Sequence, residues 1–226
     1  MPDEHYAIRV MNYSYQYASG KTALSEISLD IKESEHTVIA GPNGSGKSTL
    51  LRSIVGILSG QGEIHVFEEL VTKKNLRNIR KRVGYLFQDP QVQLFCPTVI
   101  EDVAFGPLNY HGDEAKALSD ARDALTTVGY TGAPDTSIHS LSLGEMRKVA
   151  LAGILAVQPK ILLLDEPDAF LDEGGKKSLV EILSSLEDVT IILVTHDLNF
   201  AASFCKRVIQ MDSGEIRSED NLQDIK

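Results

Sequence analysis

Gly41-Pro42-Asn43-Gly44-Ser45-Gly46-Lys47-Ser48 decides the fold. The stretch satisfies G-x-x-x-x-G-K-[S/T] in full. It follows residues 36–40, which read as a buried strand, and it leads into a helical pattern over residues 48–58 that Gly60-Gln61-Gly62 closes. Glycines in such a turn let successive backbone N–H groups face inward around an anion, and the helix N-terminus adds partial positive charge. Lys47 is placed to reach the β- and γ-phosphates, and the Ser48 hydroxyl to ligate Mg2+. A chance glycine turn would lack this strand–loop–helix setting. The candidate contacts to a nucleoside triphosphate are therefore Gly41, Pro42, Asn43, Gly44, Ser45, Gly46, Lys47, Ser48 and Thr49.

Outward from this loop, short β-branched runs alternate with longer helical patterns, the mark of an α/β domain with a largely parallel sheet. Before the loop, residues 6–17 and 23–31 alternate apolar and polar positions, which predicts antiparallel strands joined through Ala18-Ser19-Gly20. After it, strands are expected at 83–88, 161–165, 190–195 and 208–211, with a hairpin turn at Asp212-Ser213-Gly214-Glu215 and a frayed acidic tail. Between Asp89-Pro90 and Gln158-Pro159 the period becomes helical, with helices near 113–129 and 144–157. The expected division is one domain over 1–226: a core of about 1–88 and 158–226, and a helical insertion of about 89–157.

Lys160-Ile161-Leu162-Leu163-Leu164-Asp165-Glu166 reads as a buried strand ending in two carboxylates. In a parallel sheet ligands sit at the carboxyl ends of strands, so both acids lie beside the phosphate loop. Consecutive residues point to opposite sides. Asp165 can then hold the Mg2+ shell while Glu166 orients or deprotonates the attacking water. A second anion-binding end lies some 20 residues earlier, where Ser140-Leu141-Ser142-Leu143-Gly144-Glu145 opens a strong helix. Taken alone, it is equally an ordinary serine N-cap.

The order along the chain decides between them: phosphate loop, Gln88, Leu-Ser-x-Gly-Glu, Asp165-Glu166, Asp172, His196. This order resembles the ABC-type ATPases over about residues 6–217. The resemblance implies a P-loop NTPase cassette: a mixed, largely parallel sheet core, an N-terminal antiparallel β subdomain and an inserted α-helical subdomain. It implies that Gln88 is the Q-loop glutamine that touches Mg2+ or its water. Ser142, Gly144 and Glu145 would be the signature that grips the γ-phosphate of ATP held by an opposite subunit. Asp172 would contact that subunit, and His196 would be the switch histidine near the γ-phosphate. Tyr17 is similar to the aromatic that stacks on adenine, with Tyr15 as the alternative. The implied catalytic set is Glu166, His196 and Gln88; the metal set is Ser48, Gln88 and Asp165. Two departures stand out: Leu143 where the family commonly has glycine, and Ala169-Phe170 ahead of Leu171-Asp172.

Residues 89–107, which include Gln93-Leu94-Phe95, Thr98-Val99 and Asp102-Val103-Ala104-Phe105-Gly106-Pro107, are similar to the energy-coupling-factor branch, including the cobalt and nickel uptake ATPases. That branch imports transition-metal ions and vitamins such as biotin. The resemblance therefore implies a Mg2+- and ATP-dependent transport ATPase, paired with a second copy or a paralogue. It would sit peripherally on the cytoplasmic face of the cell membrane, held by an integral membrane subunit. Phe95, Val99 and Phe105 would offer a groove to a helix of that subunit, or merely pack the insertion. A soluble ABC ATPase, of the iron–sulfur assembly type, is the competing reading.

Composition narrows the classes further. The 226 residues carry 32 acidic and 22 basic side chains, net −10, which argues against nucleic acid as a partner. The basic run Lys73, Lys74, Arg77, Arg80, Lys81 and Arg82 has no interleaved aromatics and reads as a solvated face. No apolar run approaches the ~20 residues of a membrane span, and Met1-Pro2-Asp3-Glu4-His5 does not read as a signal peptide. Cys96 and Cys205 read as two reduced thiols. The sequence stops about where a cassette ends, which predicts that pairing leans on nucleotide and membrane partners.

Overall fold

The computed structural model describes residues 5–169 and 171–224. Residues 1–4, on which the signal-peptide reading partly rests, and Phe170 of the irregular Leu171-Asp172 approach lie outside the described residues. Among the described residues, ten strands and seven α-helices follow in chain order: β1 (Tyr6–Gln16), β2 (Thr22–Lys32), β3 (His36–Ala40), α1 (Lys47–Ile54), β4 (Gln61–Val66), β5 (Glu69–Leu70), α2 (Leu76–Arg82), β6 (Val83–Leu86), α3 (Val99–His111), α4 (Glu114–Thr127), α5 (Leu143–Leu155), β7 (Ile161–Asp165), α6 (Glu173–Ser184), β8 (Thr190–Val194), α7 (Leu198–Ala202), β9 (Arg207–Asp212) and β10 (Glu215–Asn221).

They form two sheets. An antiparallel sheet runs β2-β1-β4-β5, and a six-stranded sheet runs β10-β9-β3-β8-β7-β6, parallel from β9 to β6. The parallel strands are apolar throughout because both faces are covered. Leu162, Leu164, Ile191, Leu193 and Val208 pack toward the inserted helices, whereas their neighbours Ile161, Leu163, Ile192, Val194 and Ile209 pack toward α1 and the antiparallel sheet. All five residues of β7 are buried. The two sheets are tied where the Ser25 amide donates to the Gly214 carbonyl at 2.8 Å and Arg207 Nη1 to the Asp30 carbonyl at 2.8 Å.

Several expectations need correction. The helix after the phosphate loop ends at Ile54, not 58, because Gly56 takes φ +65° and Arg80 donates to the Val55 and Gly56 carbonyls. Gly60-Gln61-Gly62 does not stop a helix; β4 begins inside it and pairs with β1. Strand β6 ends at Leu86, two residues before Gln88. Residues 99–111 form a further helix, α3, closed at its start by Thr98, whose amide donates to Glu101 Oε2 at 3.1 Å. The acidic tail is a strand as far as Asn221, paired with β9. The basic run is only partly a solvated face: Arg77 donates to the Asn109 carbonyl at 2.7 Å, Arg80 braces α1, and Arg82 pairs with Glu69. Both cysteines are free, and burial pushes the Cys205 thiol up to about 12. No described helix is long and apolar enough to cross a membrane.

Candidate functional site

The phosphate loop sits between β3 and α1 and is shaped by what packs behind it. Gly41 has φ +150°, and a Cβ there would stand 2.0 Å from the Met211 carbonyl oxygen. Gly46, with φ +105°, forms the N-cap of α1, and a Cβ would stand 2.5 Å from the Ala23 carbonyl oxygen. Strands β9 and β2 therefore press the loop into a form only glycine accepts. No side chain caps α1, so the amides of its first turn are left for an anion. Lys47 is buried, and its Nζ donates to the Gly41 and Pro42 carbonyls at 2.8 and 2.9 Å, bridging the loop. Burial draws its pKa down, while the Glu166 and Asp165 carboxylates push it back up.

Opposite the loop, the strand ends converge on Glu166. This residue leaves β7 at φ +50°, a left-handed turn that costs a non-glycine residue about 1–2 kcal/mol. Its amide still donates to the Val194 carbonyl at 2.8 Å. The turn brings the carboxylate between Gln88 and His196: Gln88 Nε2 donates to Oε2 at 2.6 Å, and His196 Nε2 stands 3.3 Å from Oε1. Asp165 is almost fully buried and faces the other way, accepting from Ser48 Oγ at 2.8 Å and from the Tyr85 hydroxyl at 3.0 Å. It stands behind Ser48 rather than at the cavity wall. Desolvation and the Asp165 charge raise the Tyr85 hydroxyl's pKa, so it stays protonated and keeps donating.

Tyr17, Asn43, Gly44, Gly46, Lys47, Ser48, Thr49, Gln88, Glu166 and His196 thus line one cavity of about 420 Å³. Gly41, Pro42 and Ser45 belong to the same loop but do not line this cavity. Tyr17, not Tyr15, reaches this cavity: its hydroxyl lies 2.9 Å from Thr49 Oγ1, while Tyr15 packs edge-on against it, ring centroids 5.0 Å apart. Lys21 also lines the cavity and was not foreseen. The only local signal for it is the turn that returns its carbonyl to the Tyr17 amide at 3.0 Å.

Ser142, Gly144, Glu145 and Asp172 are elsewhere, along a separate cavity of about 590 Å³ that shares no lining residue with the first. Ser142 caps α5, its Oγ 2.6 Å from Glu145 Oε2 and accepting from the Glu145 amide at 3.3 Å. The Ser142 hydroxyl and the Ser142 amide, both donating to Glu145 Oε2, hold that carboxyl below its ordinary 4.5. Asp172 caps α6 by accepting from the Gly175 amide at 2.7 Å. Nothing lies within 4 Å of a Cβ at Gly144, so no contact inside this chain demands a glycine there. Leu143 is exposed. The two sets of residues therefore line separate cavities of the same chain.

Beyond Gln88, Val92, Phe95, Phe105 and Leu108 are exposed, by 69, 66, 46 and 42%, and Phe95 meets Phe105 edge-on at 4.8 Å. Val99 is fully buried and packs the insertion, one of the two readings of this corner, and takes no part in the exposed surface. The carboxylate of Asp102 accepts from the Phe95 and Cys96 amides, both at 2.8 Å, and so fixes the loop that presents Phe95.

Comparison with known proteins identifies the family. The profile of the ABC transporter family matches residues 24–169. The energy-coupling factor transporter ATP-binding protein EcfA of Carboxydothermus hydrogenoformans is 39% identical over 216 residues, covering 94% of this chain and 80% of its own. The structure of cbiO1 from Clostridium perfringens, part of the ABC transporter complex cbiONQ, superposes with TM-score 0.85 at 37% identity, over 98% of this chain and 91% of that one. The ATP-binding cassette MJ0796, a dimer bound to ADP and Pi in a post-hydrolysis state, superposes with TM-score 0.87 at 29% identity, over 95% and 98%. The chain belongs to the ABC transporter family, as one of its ATP-binding, ATP-hydrolysing members.

Proposed function

We propose that this chain powers an energy-coupling-factor type importer from the cytoplasmic face of the membrane, taking up a transition-metal ion such as cobalt or nickel, or a vitamin such as biotin. Two lobes carry the work: a nucleotide-binding core of about 1–88 and 158–226, and a helical lobe of about 89–157. The loop residues 41–49 cradle the triphosphate, Lys47 meets its β- and γ-oxygens, and Tyr17 stacks on adenine. Glu166 takes a proton from, or orients, the attacking water, a role worth ~10²–10⁴ in rate. His196 and Gln88 hold its carboxylate in place. The hard oxygen donors paired at Ser48 and Asp165, with Gln88 lining the same cavity as Ser48, fit Mg2+. Bound there with the phosphates, Mg2+ would neutralise charge as the terminal phosphoryl departs.

The separation of the half-sites supports a two-subunit sandwich, a homodimer or a pair with a paralogue. Ser142, Gly144 and Glu145 of one subunit close on the γ-phosphate of the other, and Asp172 touches the partner. The exposed corner of Val92, Phe95, Phe105 and Leu108 carries the transport reading: a membrane subunit's helix would cover it. Purification in mild detergent from cells making the whole system tests this. An integral membrane protein should co-elute, and Phe95→Asp should release it. Recovery with soluble proteins alone would instead favour a cytosolic ABC ATPase. Metal analysis and mass spectrometry of the co-eluting complex would then identify the cargo.

A further inference from the structure

Arg147 lies in the second turn of α5, just past the Ser142–Glu145 cap, and only 7% of it is exposed. Its guanidinium reaches out of the helical lobe to backbone carbonyls on two separate segments. Nη1 donates to Pro167 at 2.8 Å and to Glu166 at 3.3 Å, and Nη2 donates to Gln88 at 3.2 Å. Gln88 and Glu166 are themselves joined side chain to side chain. One fork therefore closes a ring through the water-activating carboxylate and the residue that senses it. Three residues further along α5, the Ala150 carbonyl accepts from Gln93 Nε2 at 3.2 Å, and Gln93 Oε1 accepts from the Phe87 amide at 3.0 Å. The helix is held to segment 87–93 at two points about one turn apart.

Packing alone does not call for a cation here. Burying a guanidinium is costly, and an apolar residue of like volume would fill the space at no such cost. Burial pulls the Arg147 pKa down, and the Asp168, Asp89 and Glu166 carboxylates offset it, so its surroundings are arranged to keep the charge. A planar fork can satisfy carbonyls of two segments together, which an ammonium cannot.

We propose that Arg147 is a positioning residue that fixes the signature end of α5 against the chain's own Gln88 and Glu166, so that the half-site offered to the partner subunit is registered by the half-site hydrolysing in this one. The proposal rests on the reading that Ser142 and Gly144 grip nucleotide across a subunit boundary. When the backbone at Gln88 or Glu166 shifts during the cycle, the fork obliges α5 to follow.

The test uses Arg147→Met and Arg147→Lys, each made in the wild-type chain and in a Glu166→Gln chain. With the fluorescent analogue mant-ATP, affinity of the monomer should stay within about twofold, since Arg147 lines the other cavity. In the Glu166→Gln chain, the ATP concentration that drives dimer formation on gel filtration should rise about tenfold for Arg147→Met. In the Glu166 chain, kcat should fall about tenfold or more with KM within threefold, and Arg147→Lys should recover only part of the loss. Unchanged dimerisation and kcat would overturn the proposal, as would losses that merely track nucleotide affinity. Should Arg147→Met fail to fold, Arg147→Lys decides, and full activity in that variant overturns the proposal. A Glu166→Gln parent that never dimerises would count against the sandwich itself; the kcat split would still judge Arg147.

Discussion

The two ends proposed to meet a phosphate are both helix N-termini, and they are built in opposite ways. At α1 the N-cap is Gly46, no side chain caps the helix, and the backbone is held by β9 and β2 against carbonyls 2.0 and 2.5 Å, respectively, from where a Cβ would be. At α5 the cap is Ser142, Glu145 folds back onto it, and Gly144 faces open space. The first end is pre-formed, with donors waiting and a buried lysine beside them. The second already holds an anion, its own Glu145 carboxylate, in the place favoured by the helix dipole. On the proposed reading, one is a binding site within a single chain. The other becomes one only when a ligand from outside displaces or joins that carboxylate.

The sharpest way to break this contrast is to damage each end in a different chain. Lys47→Ala removes the loop's cation and should lower turnover ~10²-fold or more, the scale of losing one charge-stabilising donor. It should also weaken ATP binding to the monomer. Ser142→Arg should cost turnover as heavily while leaving monomer binding within about twofold, because Ser142 lines the other cavity. Mixed in equal amounts, the two inactive chains should recover up to about a quarter of wild-type phosphate release, since each mixed symmetric pair holds one intact composite site. If Ser142→Arg weakened binding to the monomer, the half-sites would not be separate. If both chains stayed inactive when mixed, self-pairing would give way to a paralogue.

Much of this was legible in the sequence, and the boundary of legibility is physical. Strands β3, β7 and β8 are short continuous apolar runs that only a doubly covered parallel sheet explains, and the loop residues carry their own geometry. Strand β4 was not legible, because it starts on Gln61 and Gly62, exposed beside the edge of β1, and carries no alternation there. Helix α3 contains Gly106 and Pro107, both poor helix formers, and it persists through its Thr98–Glu101 start and its packing on α5. Among site residues, Lys47, Ser48, Gln88, Glu166 and His196 were read from order along the chain. Lys21, Tyr85, Gln93 and Arg147 were not, since each acts through a partner about 30 or more residues away or through a turn's return. The choice between Tyr15 and Tyr17 turned on the register shifts of β1 on either side of Tyr15, which break the parity that alternation extrapolates.

That choice gives a second test, smaller in effect. Tyr17→Ala should weaken ATP binding about tenfold, in the range of 1–3 kcal/mol for a base stacked on an aromatic ring. Tyr17→Phe keeps the ring and loses only the bond to Thr49 Oγ1, so it should cost about 1 kcal/mol or less. Both should leave ATP affinity more disturbed than kcat, which isothermal titration and steady-state rates would separate. GTP binding with equal affinity would be unsurprising, because a ring face does not read base edges. If Tyr15→Ala weakened ATP binding more than Tyr17→Ala, the adenine side of the pre-formed site would need redrawing.

The smallest effect probes the occupied end. Glu145 is held below its ordinary pKa of 4.5 first by the Ser142 hydroxyl, then by the Ser142 amide, with the Lys148 charge adding and slight burial opposing. A carboxylate whose folded pKa is lowered contributes above about 4.5, and that contribution is lost as pH falls through the lowered value. The Ser142 amide resonance should therefore stay constant from pH 8 to 5 and move only below 4.5. Glu145→Gln should abolish the movement while keeping a carbonyl oxygen on the cap. A midpoint at or above 4.5 would mean that the carboxylate is not bound there, and that the signature end stands as open as the phosphate loop. No carboxylate caps α1, so its amides should show no such step from their own cap; a step of equal size there would dissolve the contrast from the other side.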